Sequence, residues 1–187
     1  MFRKLPSWLI KASVALIGIP ALVVSVWYAV SFLPYLSEIN TYAKQGEEIV
    51  KDVNPMLYQI AVASETKEGI RSYAMSRAYS DLVYQKNRKS MLSWHANNVL
   101  WHFASYLHFD DRQIFNIWVA CSLRDCGLGL KEAAQVYLGK EINSLSVKEL
   151  STLMAVVRSP SMYKPGTESG KQRTNQILEK IEKPSAP

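Results

Sequence analysis

The sequence predicts a mainly α-helical protein in which one N-terminal transmembrane helix precedes a helical domain outside the cytoplasm. An uncharged apolar run near the N-terminus, apolar residues at helical spacing further on, and turn residues between those segments support this prediction. We expect residues 1–11 to form a cytoplasmic N-terminus, 12–33 the transmembrane helix, 34–182 the domain and 183–187 a disordered tail.

The apolar run from residue 12 to residue 32 contains no charged side chain. About 20 apolar residues span the hydrocarbon core of a bilayer. A cleaved signal peptide is the alternative, but its apolar region is usually about 7–15 residues long and ends at a small-x-small site. Because this run is longer and is followed by Leu33 and Pro34, we favour an uncleaved anchor.

Charges on the two sides of the run predict its orientation. Arg3, Lys4 and Lys11 precede or open it, whereas Glu38 and the pair at residues 47–48 follow it. The positive-inside rule therefore places the N-terminus in the cytoplasm. The formal net charge is +6, and the remainder without those three cations carries only +3. A nucleic-acid-binding domain would carry a dense stripe of basic residues, which this sequence lacks. We therefore expect no nucleic acid partner.

Helical periodicity and turn residues predict the elements of the domain. The expected helices cover about 36–53, 56–64, 92–108, 112–121, 130–138, 146–158 and 170–182. The clearest boundary is a capping box at Ser146 and Glu149, in which each side chain satisfies a backbone N–H of the other residue. Residues 65–91 receive no clear assignment, and residues 59–63 form the one short segment with an extended pattern.

The C-terminal third carries motifs of a known family. Residues 129–140 (GLKEAAQVYLGK) resemble the G-x-E-A-A-A-x-x-Y-F-G-K segment of glycosyltransferase family 51, the peptidoglycan transglycosylases found alone or fused in class A penicillin-binding proteins. Residues 145–155, 159–165 and 173–178 resemble later segments of that family in the same order. The resemblance implies a lysozyme-like helical domain on the outer side of a bacterial inner membrane.

This family polymerises lipid II, with a glutamate as general base on the acceptor 4-hydroxyl and a lipid diphosphate as leaving group. Residues 60–68 resemble the apolar entry to the family's E-D-x-x-F-x-x-H motif, which makes Glu65 the candidate base. The match then stops, since Thr66 replaces the aspartate, Gly69 replaces the aromatic residue and no histidine follows before His95. We interpret Glu68 as a surface charge.

Other charged motifs of the family are absent. By position, its R-K-x-x-E motif falls on residues 94–98, so Trp94 and His95 replace the cations and Asn98 replaces the second glutamate. Its E-x-Y-L-N motif falls on residues 116–120. Asparagine cannot act as a carboxylate and tryptophan cannot pair with a phosphate. We therefore expect a shortened and degenerate member of the family.

Four cations remain as candidates for binding a diphosphate or a lipid headgroup: Lys86, Arg88, Lys89 and Arg173. Cations close to an anionic bilayer attract lipid headgroups by about 1 kcal/mol each. A solvated basic loop at residues 86–89 is the simpler interpretation.

The remaining side chains predict no metal or cofactor site. His95 and His102 could share one helix face, but no carboxylate or thiolate lies near them in the sequence, so we interpret them as residues at the edge of the core. Cys121 and Cys126 either form a disulfide in an oxidising compartment or remain as two buried thiols.

Three functions follow as hypotheses. The preferred one is a degenerate transglycosylase domain that binds cell-wall glycan or lipid II, or serves as a scaffold for penicillin-binding proteins or other envelope proteins. The second is an active, reduced glycosyltransferase with Glu65 as base, of which a lysozyme-like cleaving enzyme is a variant. The third is a structural subunit of a membrane assembly, with aromatic residues as interface anchors. The aromatic candidates are Trp101, Phe103, Tyr106 and Trp118.

Overall fold

The computed structural model describes residues 7–87, 90–123, 126 and 129–183, with side chains from residue 16 onward except at residue 87. Within these ranges the protein is mainly α-helical and contains no strand, so the predicted fold class is confirmed. The extended segment expected at residues 59–63 is wrong, because these residues lie inside a helix. The tail beyond residue 183 lies outside the described residues.

The chain divides into two compact units, Met1–Ser37 and Glu38–Pro187. The first unit consists mainly of α1, Ser7–Ser31, with Pro20 inside it. Its apolar side chains are exposed, including Leu16 and Leu22. By length and composition it is the one helix of the described chain able to cross a membrane, although a signal sequence has the same features.

The second unit begins within α2 and is built from helices joined by short turns. After α1 and a 3₁₀ turn at Leu33–Tyr35, the helices are α2 Leu36–Val50, α3 Leu57–Glu65, α4 Lys67–Tyr79, α5 Gln85–Asn87, α6 Met91–Ser105, α7 Asp111–Cys121, α8 Gly129–Leu138, α9 Val147–Arg158 and α10 Glu168–Glu182. A π-helical turn, Ser80–Tyr84, connects α4 to α5.

Local capping explains where several helices begin. The capping box of α9 is present, with Ser146 accepting from the Glu149 N–H and Glu149 accepting from the Ser146 N–H. A second capping box, formed by Asp110 and Gln113, opens α7. Thr167 caps α10 by accepting from the Gly170 N–H. These caps satisfy N–H groups that have no partner within the helix.

Helix α4 lies in the stretch that the sequence left unassigned. It packs against α6 and α7 and buries Ile70, Ala74 and Met75 on one face. The same face also buries Arg71, which interrupts the apolar pattern in the sequence. A polar residue on the buried face, together with small side chains, accounts for the missing helical signal.

Helices α3, α9 and α10 pack together, and α8 packs on both α7 and α9. Ala133 and Ala134, whose small side chains allow a neighbouring helix to approach closely, are buried in α8. The segments resembling the transglycosylase motifs, from residue 129 to residue 178, therefore lie in contacting helices. The end of α3, where Glu65 lies, is held against two of them.

Two glycines permit very close backbone contacts in this unit. A Cβ at Gly46 would lie 1.8 Å from the Asn116 carbonyl oxygen, so α2 approaches α7 directly at this point. A Cβ at Gly129 would lie 1.9 Å from the Val119 carbonyl oxygen, and Gly129 also has a φ of +44°. Neither position accepts a side chain without a backbone shift.

Candidate functional site

The candidate base Glu65 is the last residue of α3 and lies at a sharp junction with α4. The next residue, Thr66, has a φ of +66°, a left-handed backbone conformation that non-glycine residues rarely adopt. Its hydroxyl accepts from the Gly69 N–H at 3.1 Å and caps α4. The family has an aspartate at this position, and an aspartate would cap the helix in the same way. Thr66 therefore keeps the capping role.

The Glu65 carboxylate is engaged by a cation. Arg158 in the last turn of α9 donates from Nη1 to Glu65 Oε2 at 2.9 Å. The Glu65 side chain is only 5% exposed, whereas that of Arg158 is 60% exposed. The Ser64 hydroxyl also donates to Glu65 Oε1 at 3.4 Å. The structure thus presents Glu65 as one half of a shielded ion pair.

Two more cations contact the same end of α3. Arg173 donates from Nη2 to the Ser64 carbonyl at 2.9 Å, and Lys180 donates to the Ala63 carbonyl at 3.2 Å. Carbonyls in the last turn of a helix have no partner within it, and cations there also interact favourably with the helix dipole. Arg173, a sequence candidate for diphosphate binding, is therefore used here to bind the α3 terminus.

The other diphosphate candidates do not join Glu65 or Arg173 in the described part of the chain. Lys86 is exposed on α5, and no hydrogen bond or ion pair connects it to either residue. Arg88 and Lys89 lie outside the described residues.

The positions that replace the family's R-K-x-x-E motif lie on α6 in an aromatic setting. The Trp94 ring packs edge-on against Tyr84 and His95, and its Nε1 donates to the Ser80 hydroxyl at 3.4 Å. Both polar atoms of the Asn98 amide are buried with no hydrogen-bond partner in the described chain. These residues offer aromatic surface and an amide where an enzyme of this kind needs cations and a carboxylate.

A polar network between α4 and the end of α6 was not predicted from the sequence. The Tyr106 hydroxyl donates to both Glu68 oxygens at 2.7 and 2.9 Å, and His102 Nε2 lies 2.7 Å from Glu68 Oε1. The hydrogen bond from Tyr106 lowers the pKa of Glu68 and raises the pKa of Tyr106. Glu68, interpreted above as a surface charge, is exposed but links α4 to α6 and the residue following it.

Arg71 extends this network into the core. Its guanidinium donates to the Ser105 hydroxyl and the Phe109 carbonyl, and it donates to Asp111 Oδ1 at 3.0 Å. Its Cζ atom lies 4.1 Å from the centroid of the Tyr106 ring. The hydrogen bond from Arg71 lowers the pKa of Asp111. Because a lowered pKa weakens a general base, neither Glu68 nor Asp111 is favoured as one.

A cavity of about 430 Å³ adjoins the network. Val50, Tyr58 and Phe115 supply apolar walls, and Lys67, Asp111 and Arg112 bring charges to it. Its volume is in the range of small-molecule sites. Glu65 is not among the residues that line it.

Cys121, the last residue of α7, forms a disulfide with Cys126. Nearby, Arg77 donates from Nε to the Cys121 carbonyl at 3.4 Å and so ties the end of α7 to α4. Among the described residues, no group of three or more His, Cys, Asp or Glu side chains could hold a metal ion. His102 is instead bound to Glu68, and His95 packs on Trp94.

The described chain is thus a mainly α-helical protein with one long apolar helix at its N-terminal end. A family model described as "Transglycosylase" matches residues 79–182, more than half of the chain. The chain therefore belongs to the transglycosylase family, and its resemblance to glycosyltransferase family 51 is confirmed. No curated protein and no solved structure matches the chain.

The matched region starts at residue 79, downstream of Glu65 and the Thr66 junction. It contains helices α5 to α10, and the ordered motifs lie in α8 to α10 and the turns between them. Membership therefore indicates a peptidoglycan glycosyltransferase-like function and a cell-envelope location. It assigns no role to Glu65.

Proposed function

We propose that this chain is a non-catalytic, membrane-tethered transglycosylase homologue that binds lipid II or a cell-wall glycan strand at the bacterial inner membrane. The observation that carries the proposal is the ion pair between Glu65 and Arg158. The only glutamate in the position of the family's general base is shielded from solvent and held by a guanidinium.

A general base must offer a free carboxylate to the hydroxyl that it deprotonates. Here Arg158 occupies Glu65 Oε2 and Ser64 contacts Glu65 Oε1, so an acceptor sugar would have to displace existing partners. The leaving diphosphate would also need cations. Trp94 and His95 stand in place of those cations, and Asn98 stands in place of the second glutamate.

Binding of lipid II or glycan without glycosyl transfer needs no general base in the site. The family's natural ligands combine an anionic diphosphate with sugars, and sugars commonly stack on aromatic rings. The chain retains exposed Lys86, followed in sequence by Arg88 and Lys89, directly before the aromatic-rich α6. These cations and the rings of Trp94 and Phe103 are the groups that we assign to ligand binding.

The proposed location is a single-pass anchor of residues 12–33 with the N-terminus in the cytoplasm and the domain, residues 34–182, outside. The cations before the apolar run and the acidic residues after it support this orientation. The disulfide between Cys121 and Cys126 supports it independently, since structural disulfides persist in oxidising compartments and are rare in the cytosol.

An active, reduced transglycosylase is the second candidate, and one observation favours it. Thr66, next to Glu65, has a left-handed backbone conformation. Residues in such conformations cost about 1–3 kcal/mol each and cluster at active sites. In this alternative, substrate binding would release Glu65 from Arg158 so that the carboxylate could act as base.

The deciding experiment uses the full chain in lipid nanodiscs with purified lipid II. We expect retention of lipid II by wild type and Glu65→Gln alike, with no glycan polymer from either. Polymer formed by wild type and lost in Glu65→Gln would overturn the proposal in favour of the enzyme. Binding of neither lipid II nor glycan strands, with co-purification of an envelope protein, would overturn it in favour of the assembly-subunit hypothesis.

A further inference from the structure

The cavity of about 430 Å³ beside Asp111 is lined by residues from the end of α2, the first turns of α3 and α4, and α7. Its volume is in the range of sites that hold a small ligand. None of the groups assigned to lipid II or glycan binding lines it. A ligand of this cavity is therefore additional to the proposed function.

Asn116 is the buried polar residue of the cavity. It is 5% exposed, and its side-chain amide forms no hydrogen bond with another residue of the described chain. An amide side chain offers both N–H donors and a carbonyl acceptor. Buried polar groups are normally hydrogen-bonded, so this amide indicates a ligand that supplies a donor and an acceptor together. A peptide group has that combination.

The charges of the cavity leave one cation without a partner. Asp111 accepts from Arg71 at 3.0 Å and lies 3.5 Å from Lys67, so its carboxylate is already paired. Arg112 is exposed and forms no ion pair with any carboxylate of the described chain. A guanidinium binds a carboxylate through two parallel N–H donors. Arg112 is therefore available to bind the carboxylate of a ligand.

Aromatic rings form the apolar wall of the cavity. The Tyr58 ring meets Phe115 edge-on, with 5.1 Å between the ring centroids. On its other side, the Phe115 ring stacks on Trp118 at 5.9 Å. Phe115 is only 6% exposed, so its position is fixed by the fold before any ligand arrives. This wall suits an apolar side chain.

We infer that the cavity binds the carboxyl-terminal end of a peptide. The terminal carboxylate pairs with Arg112, the last peptide group bonds to the Asn116 amide, and the last side chain packs on Phe115. These three residues are three and four positions apart in α7, so they lie on one face of that helix. A phosphate ion would satisfy only the cation, and a purely apolar ligand would leave both the cation and the amide without partners.

The test measures fluorescence anisotropy with the full chain in lipid nanodiscs. The probes are pentapeptides that carry fluorescein at the amino end and finish in alanine, leucine or phenylalanine, each in the L and the D form. Every probe is made as the free acid and as the carboxyl-terminal amide. We expect at least one free acid to bind, and its amide to bind about ten-fold more weakly or worse.

Equal binding of acid and amide would overturn the inference. So would binding of every acid no stronger than to empty nanodiscs. The preferred configuration of the last residue identifies the source of the ligand. A preference for the L form indicates the carboxyl terminus of a protein, and a preference for the D form indicates a cell-wall peptide.

Two variants locate the binding in this cavity. Arg112→Gln removes the guanidinium at an exposed position and should lower the affinity about ten-fold. Asn116→Leu removes the amide and should also lower it, with the urea midpoint confirming that the variant folds. Lys171→Gln, at an exposed position on α10 outside this cavity, is the matched control for charge and should bind like wild type.

Equal losses in Arg112→Gln and Lys171→Gln would show a general attraction between opposite charges and would overturn the inference. Unchanged affinity in Asn116→Leu would remove the peptide group from the assignment and overturn it as well. Retention of lipid II by Arg112→Gln should equal that of wild type. Failure of the peptide to bind would therefore leave the proposed function standing, and the two results can be told apart.

Discussion

Arg158 Nη1 lies 2.9 Å from Glu65 Oε2 and joins the last turn of α9 to the end of α3 across 93 residues of sequence. The pair is unequal, because the Glu65 side chain is 5% exposed and the Arg158 side chain is 60% exposed. Removal of the Arg158 side chain therefore leaves the shielded Glu65 carboxylate without a counter-ion. Removal of the Glu65 carboxylate leaves only an exposed guanidinium.

We predict that Arg158→Met destabilises the protein more than Glu65→Gln. The first change leaves a shielded carboxylate unpaired and should cost about 1–3 kcal/mol. The second leaves an exposed guanidinium and should cost about 1 kcal/mol or less. Urea unfolding of the detergent-solubilised full chain measures both values. Lys171→Met, at an exposed position on α10, controls for the loss of one positive charge, and equal losses for the two partner variants would contradict the prediction.

Gly46→Ala tests the close contact between α2 and α7. The added Cβ would lie 1.8 Å from the Asn116 carbonyl oxygen, and a backbone atom cannot move aside as a flexible side chain can. We expect a loss of about 3 kcal/mol or more in unfolding free energy. Gly69→Ala is the matched control, because the atoms nearest its Cβ would all belong to side chains, Thr66 Oγ1 at 3.3 Å and Glu65 Cβ at 3.7 Å. That variant should stay within about 1 kcal/mol of wild type, since alanine gains helix propensity.

The disulfide gives a prediction about both stability and location. Cys121 and Cys126 are five positions apart, and closing a loop of this size should stabilise the fold by about 2 kcal/mol in the chain-entropy account. Cys126→Ser should lose about that amount. In the intact cell, the cysteines of wild type should resist alkylation until a reductant is added. Alkylation without reductant would place the domain in a reducing compartment and contradict the proposed orientation.

The lowered pKa of Glu149 predicts how the stability of the folded protein changes with pH. The ion pair with Lys140 and the hydrogen bonds from Ser146 lower its pKa from 4.5 to about 2. The folded protein thus binds this proton less readily than the unfolded chain. The stabilisation is fully present above about pH 5 and is lost as the pH falls towards 2.

We therefore expect the urea midpoint of wild type to fall more steeply from pH 6 to pH 3 than that of Glu149→Gln. Glu68 and Asp111 also have lowered pKa values, so the variant keeps a shallower slope of the same sign. High salt should bring the two curves together, since this pair is accessible to solvent. If the urea midpoints of wild type and Glu149→Gln fell in parallel at low salt, the Glu149 carboxylate would contribute no stability between pH 6 and pH 3.

Sequence patterns predicted most helices well where local chemistry determines them. The capping box at Ser146 and Glu149 predicted the start of α9, and helical periodicity predicted α7 to within one residue of its observed start. The order of the transglycosylase motifs predicted a family that the comparison confirms. Each of these signals lies within a few consecutive residues.

Features that depend on tertiary contacts were not predicted. Helix α4 was missed because Arg71 lies on its buried face, where an apolar residue is expected. The partner of Glu65 is 93 residues away, so no local spacing could indicate it. The roles of Glu68 and Arg173 likewise arise only when Tyr106 and the end of α3 are brought to them.

Arg71 carries the last prediction, because its fixed donor geometry serves several partners at once. It is 4% exposed, donates to Ser105, Phe109 and Asp111, and lies over the Tyr106 ring. Lysine keeps the charge but lacks the planar fork, so it cannot reach these acceptors together. We expect both Arg71→Met and Arg71→Lys to cost about 2–4 kcal/mol, with lysine giving little rescue.

The measurement compares the urea midpoints of these variants with that of Arg112→Lys, an exposed position on the same network's edge that should stay within about 0.5 kcal/mol of wild type. Full stability of Arg71→Lys would show that positive charge alone is needed, as for a simple ion pair with Asp111. A loss of stability in both Arg71→Lys and Arg71→Met would show instead that the guanidinium is required. Its role would then be to donate to the buried Ser105 hydroxyl and Phe109 carbonyl. That distinction matters for the C-terminal end of α6, because Arg71 contacts Ser105, its last residue, and Tyr106, the residue that follows it.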